Sequence, residues 1–266
     1  MGSSIIESPV QDAVDQLIAD EEKVFLARQP RSTETIARAR EHLAGGATSN
    51  WQIAQPQAVW MSHGAGSKVY DVDGTEYVDM HGGYGASIAG HAHPAIVEAV
   101  SRQVRRGTHF AQPTEDAIWI AGELARRFGL PLWRFANSGT EATMDAVHLA
   151  RAATERDLII KVEGCYHGHH DSVEVSVLPE ADEVGPRDHP IGVPGNSGIP
   201  AAIRDLVIVV PFNDPEAVAR ALAEHRGQVA AMILEPVMMN AGIIPPDDGY
   251  LAAIRDMLHA EGALLI

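Results

Sequence analysis

The sequence predicts an α/β protein in which a mostly parallel sheet is flanked by helices and preceded by an N-terminal helical and β arm. From residue 94 onward, short apolar runs alternate with amphipathic helical patterns. The apolar runs lack the polar alternation of a half-exposed strand, which is typical of a parallel sheet covered on both faces. The chain before residue 94 has a different rhythm, with helical patterns followed by a hairpin signal.

The N-terminal part is interpreted as an arm rather than a domain. Residues 10–43 carry two helical patterns separated at Gln29 and Pro30, and neither is long enough to form its own core. Further on, Asp73-Gly74 between two β-rich runs is a strong hairpin signal. We place the arm and the start of a small domain at residues 1–65, and a large α/β domain at residues 66–266.

The glycine-rich residues 81–94 predict a loop that acts through its backbone, near a site or an interface. Residues 179–200, rich in Pro, Gly, Asp and Glu, predict a long surface loop that serves as an active-site flap or an interface arm.

In the large domain the patterns predict helices and strands in alternation. The expected helices are 94–106, 114–128, 140–153, 215–225 and 250–261. The expected strands are 132–135, 158–162, 206–210, 229–234 and one that begins at 263. Sheets of this kind bind ligands at the carboxyl ends of their strands.

Composition narrows the class of protein. The 266 residues have a formal charge of -16 and a mean hydropathy of -0.07, which argues against nucleic acid or an anionic membrane as the main partner. The single cysteine, Cys165, excludes an internal disulfide and predicts a cytoplasmic protein. No apolar run approaches the length that spans a membrane, and the N-terminus does not resemble a signal peptide.

The chain is organised around residues 135–144, Phe-Ala-Asn-Ser-Gly-Thr-Glu-Ala-Thr-Met. This segment predicts a strand end, a tight turn and a helix start. Ser138, Gly139 and Thr140 would present free N–H groups, two hydroxyls and a positive helix end, which is a place to hold a phosphate. The residues alone leave open an ordinary turn with a capped helix, and they leave two roles open for Glu141, which either serves the ligand site or simply complements the helix N-terminus.

Two further polar clusters follow predicted strand ends, at residues 163–171 and 235–242. Because strand ends converge in this architecture, the three clusters together predict a functional cleft. Cys165, His167, His169, His170 and Asp171 can also be read as metal ligands. Their spacing matches no standard zinc pattern, so no metal site is predicted.

These motifs resemble those of the class III aminotransferases, which bind pyridoxal 5′-phosphate (PLP) on the type I fold of PLP-dependent transferases. The resemblance is carried by Asn-Ser-Gly-Thr-Glu-Ala at 137–142, Gly-Cys-Tyr-His-Gly at 164–168, and Glu-Pro-Val-x-x-Asn-x-Gly at 235–242. The Tyr-Asp-Val-Asp-Gly-Thr-Glu-Tyr-Val-Asp run at 70–79 and Gly-His-Ala-His-Pro at 90–94 are similar to the family's N-terminal portion. The glutamate-1-semialdehyde 2,1-aminomutase branch is the most similar, from about Arg31 to the end of the chain.

The resemblance implies a set of cofactor-binding residues. Ser138, Gly139 and Thr140 would hold the cofactor phosphate, Tyr166 would stack on the pyridine ring, and His167 would line the same pocket. Asn240 would lie near the phenolic oxygen, with Glu235 as a carboxylate behind that edge. Trp51 falls where the family's N-terminal arm contacts substrate.

The resemblance also implies residues beyond Ile266, namely an Asp that pairs with the pyridinium nitrogen and the lysine that forms the Schiff base. Lys161 falls where the family often has a lysine that is not catalytic, and Lys23 and Lys68 lie outside the cluster. We therefore expect the 266 residues to be the N-terminal part of a longer polypeptide. If they were the whole protein, they would form a non-catalytic remnant or scaffold.

The implied reaction is transfer of an amino group through a 1,3-proton shift in the aldimine between cofactor and substrate. The implied substrate is a small amino acid or amino-aldehyde, and the implied assembly is a homodimer. The loops at 81–90 and 178–192 depart from the aminomutase pattern. An aminotransferase acting on an aryl or β-amino acid therefore remains an alternative.

Overall fold

Residues 9–266 are described by the structure, which is a computed structural model. The chain divides into two compact units, one that runs to Pro113 and one from Thr114 to Ile266. The division into an arm at residues 1–65 and a large domain at 66–266 stays a prediction.

All the helices expected after residue 93 are present, with ends that move by at most two residues from the predicted bounds. The helices are α1 (Pro9–Ala27), α2 (Pro30–Ala39), α3 (Pro94–Val104), α4 (Glu115–Phe128), α5 (Gly139–Thr154), α6 (Ala201–Arg204), α7 (Pro215–Glu224) and α8 (Tyr250–Ala260). The strands are β1 (Met61–Ala65), β2 (Lys68–Asp71), β3 (Glu76–Val78), β4 (Leu158–Val162), β5 (Val207–Val210), β6 (Val229–Ile233) and β7 (Leu264–Leu265). None of the helices within residues 9–266 is both long enough and apolar enough to cross a bilayer.

In the first unit, the predicted hairpin is confirmed. Strands β1, β2 and β3 form an antiparallel sheet, and Asp73 lies in the turn that joins β2 to β3. The Asp73 carboxylate accepts hydrogen bonds from the backbone N–H groups of Arg31 at 2.8 Å and Ser32 at 3.1 Å. These are N–H groups of the first turn of α2, which have no partner inside the helix. The hairpin turn therefore caps α2, in place of the residue that precedes the helix.

The glycine-rich loop of the first unit is held by Asp79. Its carboxylate accepts from the backbone N–H groups of His81 at 3.0 Å and Gly82 at 2.8 Å, and its other oxygen lies 2.7 Å from Nε2 of His91. His91 lowers the pKa of Asp79 to about 2, with the backbone N–H groups contributing. The loop is thus organised by backbone hydrogen bonds, as its glycines predict.

The second unit is built on a parallel sheet in the order β5-β4-β6-β7. One face, with Ile160 and Met232, packs against α7 and α8. The opposite face, with Ile159 and Ala231, packs against Val147 and other residues of α5. Both faces are covered, which explains why the strands consist of apolar residues, with Lys161 of β4 as the exception.

The predicted strand at residues 132–135 is wrong. This segment is extended but irregular, and Leu132 is 89% exposed. A strand depends on hydrogen bonds to a neighbouring strand, and within residues 9–266 no strand pairs with this segment. The apolar run predicted a buried and paired strand, but the segment is mostly exposed, and pairing is a tertiary property that the run does not contain.

Candidate active site

The turn into α5 forms the centre of the site. Ser138 precedes the helix, and its Oγ accepts a hydrogen bond from the backbone N–H of Glu141 at 3.2 Å. In return, the Glu141 carboxylate accepts from the backbone N–H of Asn137 at 2.7 Å, and this N–H lowers the pKa of Glu141. The arrangement is a reciprocal cap of the helix start. Glu141 therefore complements the helix N-terminus, one of the two roles that its sequence position left open.

The cap leaves two backbone donors unused. In the described part of the chain, the N–H groups of Gly139 and Thr140 have no hydrogen-bond acceptor. Both lie in the first turn of a helix of 16 residues, where the helix dipole is positive. Ser138 and Gly139 are exposed and Thr140 is half-buried, so an anion can reach these groups. This is the geometry of a phosphate or carboxylate site.

The loop after β4 packs directly onto this turn through Gly168. A β-carbon on Gly168 would lie 2.6 Å from Oγ1 and 2.7 Å from Cα of Thr140, and the residue has φ of +102°. Oγ1 of Thr140 is 3.2 Å from Nδ1 of His169, and the hydroxyl of Thr143 donates to the carbonyl oxygen of His167 at 2.6 Å. The 163–171 cluster and the 137–141 cluster are therefore brought into contact as predicted, although only the 163–171 cluster follows a strand of the sheet.

Glu235 joins the second cluster to the third. Its Oε1 accepts a hydrogen bond from the backbone N–H of Tyr166 at 2.7 Å, and its Oε2 accepts one from the backbone N–H of Met239 at 2.9 Å. Met239 belongs to a turn between Met238 and Ile244, which exchange two hydrogen bonds of 3.0 Å. Asn240 lies exposed on that same turn. Tyr166, Glu235 and Asn240 are thus held in one neighbourhood.

His167 is buried beside these groups. Nε2 of His167 has no hydrogen-bond partner in the described structure, although the side chain is only 8% exposed. Burial lowers the pKa of His167 to about 3, and the neighbouring charges of Lys161 and His170 act in the same direction. The ring is therefore neutral near pH 7, with one nitrogen available to a group that enters the site.

Lys161 is fully buried in β4, and its amine donates to the carbonyl oxygens of Val162 at 3.0 Å and Ser176 at 3.5 Å. Burial lowers the pKa of this amine to about 8. Cys165 is fully buried, and burial raises the pKa of its thiol. Trp51 lies in the first unit and is 59% exposed.

Three contributors were not singled out from the sequence as parts of this site. They are Gly168, which allows the close approach to Thr140, and Thr143 and His169, which hydrogen-bond across the two clusters. The signal for Gly168 was its place between two histidines directly after a strand. The signal for Thr143 was its position one helical turn after Gly139, on the side of α5 that faces the β4 loop.

The motifs and the geometry point to the same family. A family model described as Aminotransferase class-III matches residues 51–266. This chain belongs to the class-III aminotransferase family. Its α/β architecture with a helix-flanked parallel sheet is the fold of PLP-dependent transaminases, as predicted.

Curated relatives of this class-III aminotransferase chain include glutamate-1-semialdehyde 2,1-aminomutases from two organisms. The glutamate-1-semialdehyde 2,1-aminomutase of Ignicoccus hospitalis is 42% identical over 238 residues, covering 89% of this chain and 55% of that protein. The enzyme of the same name from Aeropyrum pernix is 40% identical over 245 residues, covering 91% of this chain and 55% of that protein. The chain therefore spans about half the length of these relatives.

Solved structures with the same architecture include both transaminases and an aminomutase. An omega-transaminase from Sphaerobacter thermophilus has a TM-score of 0.86 and 38% identity, over 90% of this chain and 55% of that one. A transaminase with PLP bound has a TM-score of 0.82 and 36% identity, and the match covers 89% of this chain and 54% of that one. A variant glutamate-1-semialdehyde aminomutase from Pseudomonas aeruginosa, in complex with PMP, has a TM-score of 0.84 and 34% identity. The match covers 95% of this chain and 54% of that one.

The residues of this chain fit a phosphorylated cofactor of that kind. The free N–H groups of Gly139 and Thr140 suit a phosphate, and the unpartnered Nε2 of His167 suits a polar group of a buried ligand. The positive φ and close packing of Gly168 keep the β4 loop, which carries His167, close to the helix start.

Proposed function

We propose that this chain forms the PLP-binding part of an enzyme that transfers amino groups. The observation that carries the proposal is the pair of unused N–H groups on Gly139 and Thr140, beside the closely packed Gly168. The reciprocal cap satisfies the N–H groups of Asn137 and Glu141 but not those of Gly139 and Thr140, so these two donors are free for the cofactor phosphate.

Each proposed contact has a local physical reason. Ser138, Gly139 and Thr140 hold the phosphate with N–H and hydroxyl donors at the positive end of α5. The ring of Tyr166 stacks on the cofactor ring. His167 lines the same pocket as a neutral ring, and Asn240 lies near the phenolic oxygen. When bound, PLP supplies the electron sink of the reaction.

Glu235 acts as a positioning residue in this proposal. Both of its carboxylate oxygens accept backbone hydrogen bonds, one from the segment of Tyr166 and one from the turn of Asn240. It therefore sets the spacing between the stacking ring and the amide at the cofactor edge, without itself contacting the cofactor ring.

The test is a PLP titration of the wild type, Thr140→Val and Thr140→Ser, followed by absorbance and by quenching of protein fluorescence. Loss of a hydrogen bond to a charged phosphate costs about 1.5–3 kcal/mol, so Thr140→Val weakens PLP binding roughly 10- to 100-fold. Thr140→Ser keeps the hydroxyl and binds within about threefold of the wild type. Equal affinity of Thr140→Val and the wild type would contradict the phosphate site.

For the whole protein we propose a general reaction, amino-group transfer on a small amino acid or amino-aldehyde. Within that class, the two aminomutase relatives at 40–42% identity support an aminomutase reaction. An aminomutase converts its substrate with no added amino acceptor. An aminotransferase acting on an aryl or β-amino acid stops after a half-reaction until a keto acid is supplied, so product analysis with and without a keto acid distinguishes the two.

We also propose that the whole protein is a cytoplasmic homodimer in which Trp51 contributes to substrate binding. The intact mass after borohydride reduction tests whether a lysine carries the cofactor covalently. A mass above 28.5 kDa that includes the cofactor supports the enzyme, whereas 28.5 kDa without an adduct supports a non-catalytic remnant. A single-subunit mass in light scattering would contradict the homodimer.

A further inference from the structure

A cavity of about 290 Å³ lies between the loop at residues 184–190 and the carboxyl ends of β4 and β5. Its lining includes Glu163 after β4, Pro211 and Phe212 after β5, and Pro186, Arg187 and Pro190 of the loop. Glu163 starts the 163–171 cluster, but none of the lining residues is among the proposed cofactor-binding side chains. The volume is close to the lower end of the range of roughly 300–1,000 Å³ found for small-molecule pockets, which fits a ligand of amino-acid size.

The loop forms a fixed roof over this cavity. The backbone N–H of Ile191 donates to the carbonyl oxygen of Val184 at 2.8 Å, which closes the loop at its base. On its outer side, Nε2 of His189 lies 3.4 Å from the carboxylate of Glu224 in α7. These contacts hold the roof in place without the participation of Arg187.

Glu163 contributes a carboxylate to the cavity that no basic side chain among residues 9–266 pairs with. It is half-buried, and burial raises its pKa, while the charge of Lys161 lowers it. The Lys161 amine donates instead to two backbone carbonyl oxygens, and in residues 9–266 no basic side chain forms an ion pair with Glu163. A partly desolvated carboxylate in this position gains from a positively charged ligand group.

Arg187 supplies the opposite charge at the same cavity. Its side chain is exposed on the loop, and among the described residues it forms no ion pair with an Asp or Glu. A guanidinium group binds a carboxylate with two parallel hydrogen bonds, which favours a carboxylate ligand over a neutral one. Between the two charges the walls are apolar, formed largely by prolines and Phe212.

We propose that this cavity binds an amino acid with an apolar side chain, its ammonium group at Glu163 and its carboxylate at Arg187. The ligand bridges the roof to the end of β4. The site needs no cofactor, so it goes beyond the proposed function and is tested in the absence of PLP.

Saturation-transfer NMR and calorimetry on the full chain, without PLP, compare three probes of similar size. They are L-phenylalanine, phenethylamine, which lacks the carboxylate, and 3-phenylpropionate, which lacks the ammonium group. L-Phenylalanine is expected to bind at least about tenfold more tightly than either. Failure of L-phenylalanine to bind at up to about 10 mM would overturn the proposal.

Two variants separate the two charges. Glu163→Gln is expected to weaken L-phenylalanine and phenethylamine at least about tenfold and to leave 3-phenylpropionate unchanged. Arg187→Gln is expected to weaken L-phenylalanine and 3-phenylpropionate and to leave phenethylamine unchanged. Asp182→Asn and Arg226→Gln are matched controls, which remove exposed charges outside the cavity. Equal losses in the controls and the cavity variants would overturn the proposal.

Limited trypsin digestion reports on the roof independently of affinity. Bound L-phenylalanine is expected to slow cleavage after Arg187, because the guanidinium group is engaged, and to leave cleavage after the exposed Arg226 unchanged. Unchanged cleavage after Arg187 at saturating L-phenylalanine would contradict the bridge between roof and strand.

Discussion

The carboxylate of Glu235 accepts a hydrogen bond of 2.7 Å from the backbone N–H of Tyr166, although 69 positions separate the two residues in the chain. The same carboxylate accepts a second hydrogen bond from Met239. One half-buried side chain therefore links the loops that follow β4 and β6. This link sets the spacing between Tyr166 and Asn240 in the proposed ring pocket, because the two residues lie on the two loops that it joins.

Glu235→Ala leaves two backbone N–H groups without an acceptor in a half-buried environment. Hydrogen bonds to a charged acceptor contribute about 1.5–3 kcal/mol each, so the loss of both should lower the free energy of unfolding by roughly 3–6 kcal/mol. Urea denaturation measures it. Glu235→Gln keeps one acceptor oxygen and should lose about half as much. An alanine variant as stable as the wild type would show that the two loops are held by other contacts.

Gly168→Ala should open the contact between the β4 loop and α5. The added β-carbon meets Thr140 at 2.6–3.0 Å, and φ of +102° is strained for any residue with a side chain. Strain and overpacking together should cost about 2–4 kcal/mol of unfolding free energy and should weaken PLP binding.

Gly227→Ala is the matched control, since Gly227 has φ of +72° with open space around it. It should cost about 1 kcal/mol and leave PLP affinity unchanged. Similar effects of the two variants would contradict a specific role for the Gly168 contact.

Tyr166→Ala should weaken PLP binding roughly tenfold or more, because it removes both the buried ring area and the stacking interaction. The absorbance band of bound PLP should shift in the same variant. Tyr166→Phe keeps the ring and is expected to retain the affinity and the band within about threefold. Unchanged affinity and absorbance in Tyr166→Ala would place the cofactor ring elsewhere.

The pH dependence of stability should carry a contribution from His167. Its pKa is lowered from an ordinary value of 6.5 to about 3 in the folded chain, so between these values the unfolded chain binds the additional proton. Stability should therefore fall as the pH decreases from 6.5 toward 3, by about 1.4 kcal/mol per pH unit for this residue.

His167→Asn removes this contribution. The loss of unfolding free energy between pH 7 and pH 5 should be about 2 kcal/mol smaller in the variant than in the wild type. His259→Asn, at an exposed position on α8, is the control and should keep the wild-type dependence. Parallel pH profiles for His167→Asn and the wild type would contradict a buried neutral ring.

Most of the local structure could be predicted because it depends on neighbours in the chain. Apolar spacing and capping residues located α5, α7 and α8 to within a residue, and the Asp73-Gly74 turn located the hairpin. The capping role of Glu141 lay within the five residues 137–141, so the sequence by itself contained it as one of two possible roles.

Pairing between distant segments was decided by the tertiary structure alone. Residues 132–135 have the composition of a strand, yet no strand among residues 9–266 pairs with them, and they remain irregular. Likewise, nothing in the β4 loop itself indicates that Gly168 meets Thr140, or that Glu163 and Arg187 line one cavity. Hydrophobic periodicity records which side of an element is buried, but it carries no information on which residue lies opposite. That choice is made when the strand ends and loops are brought together around the sheet.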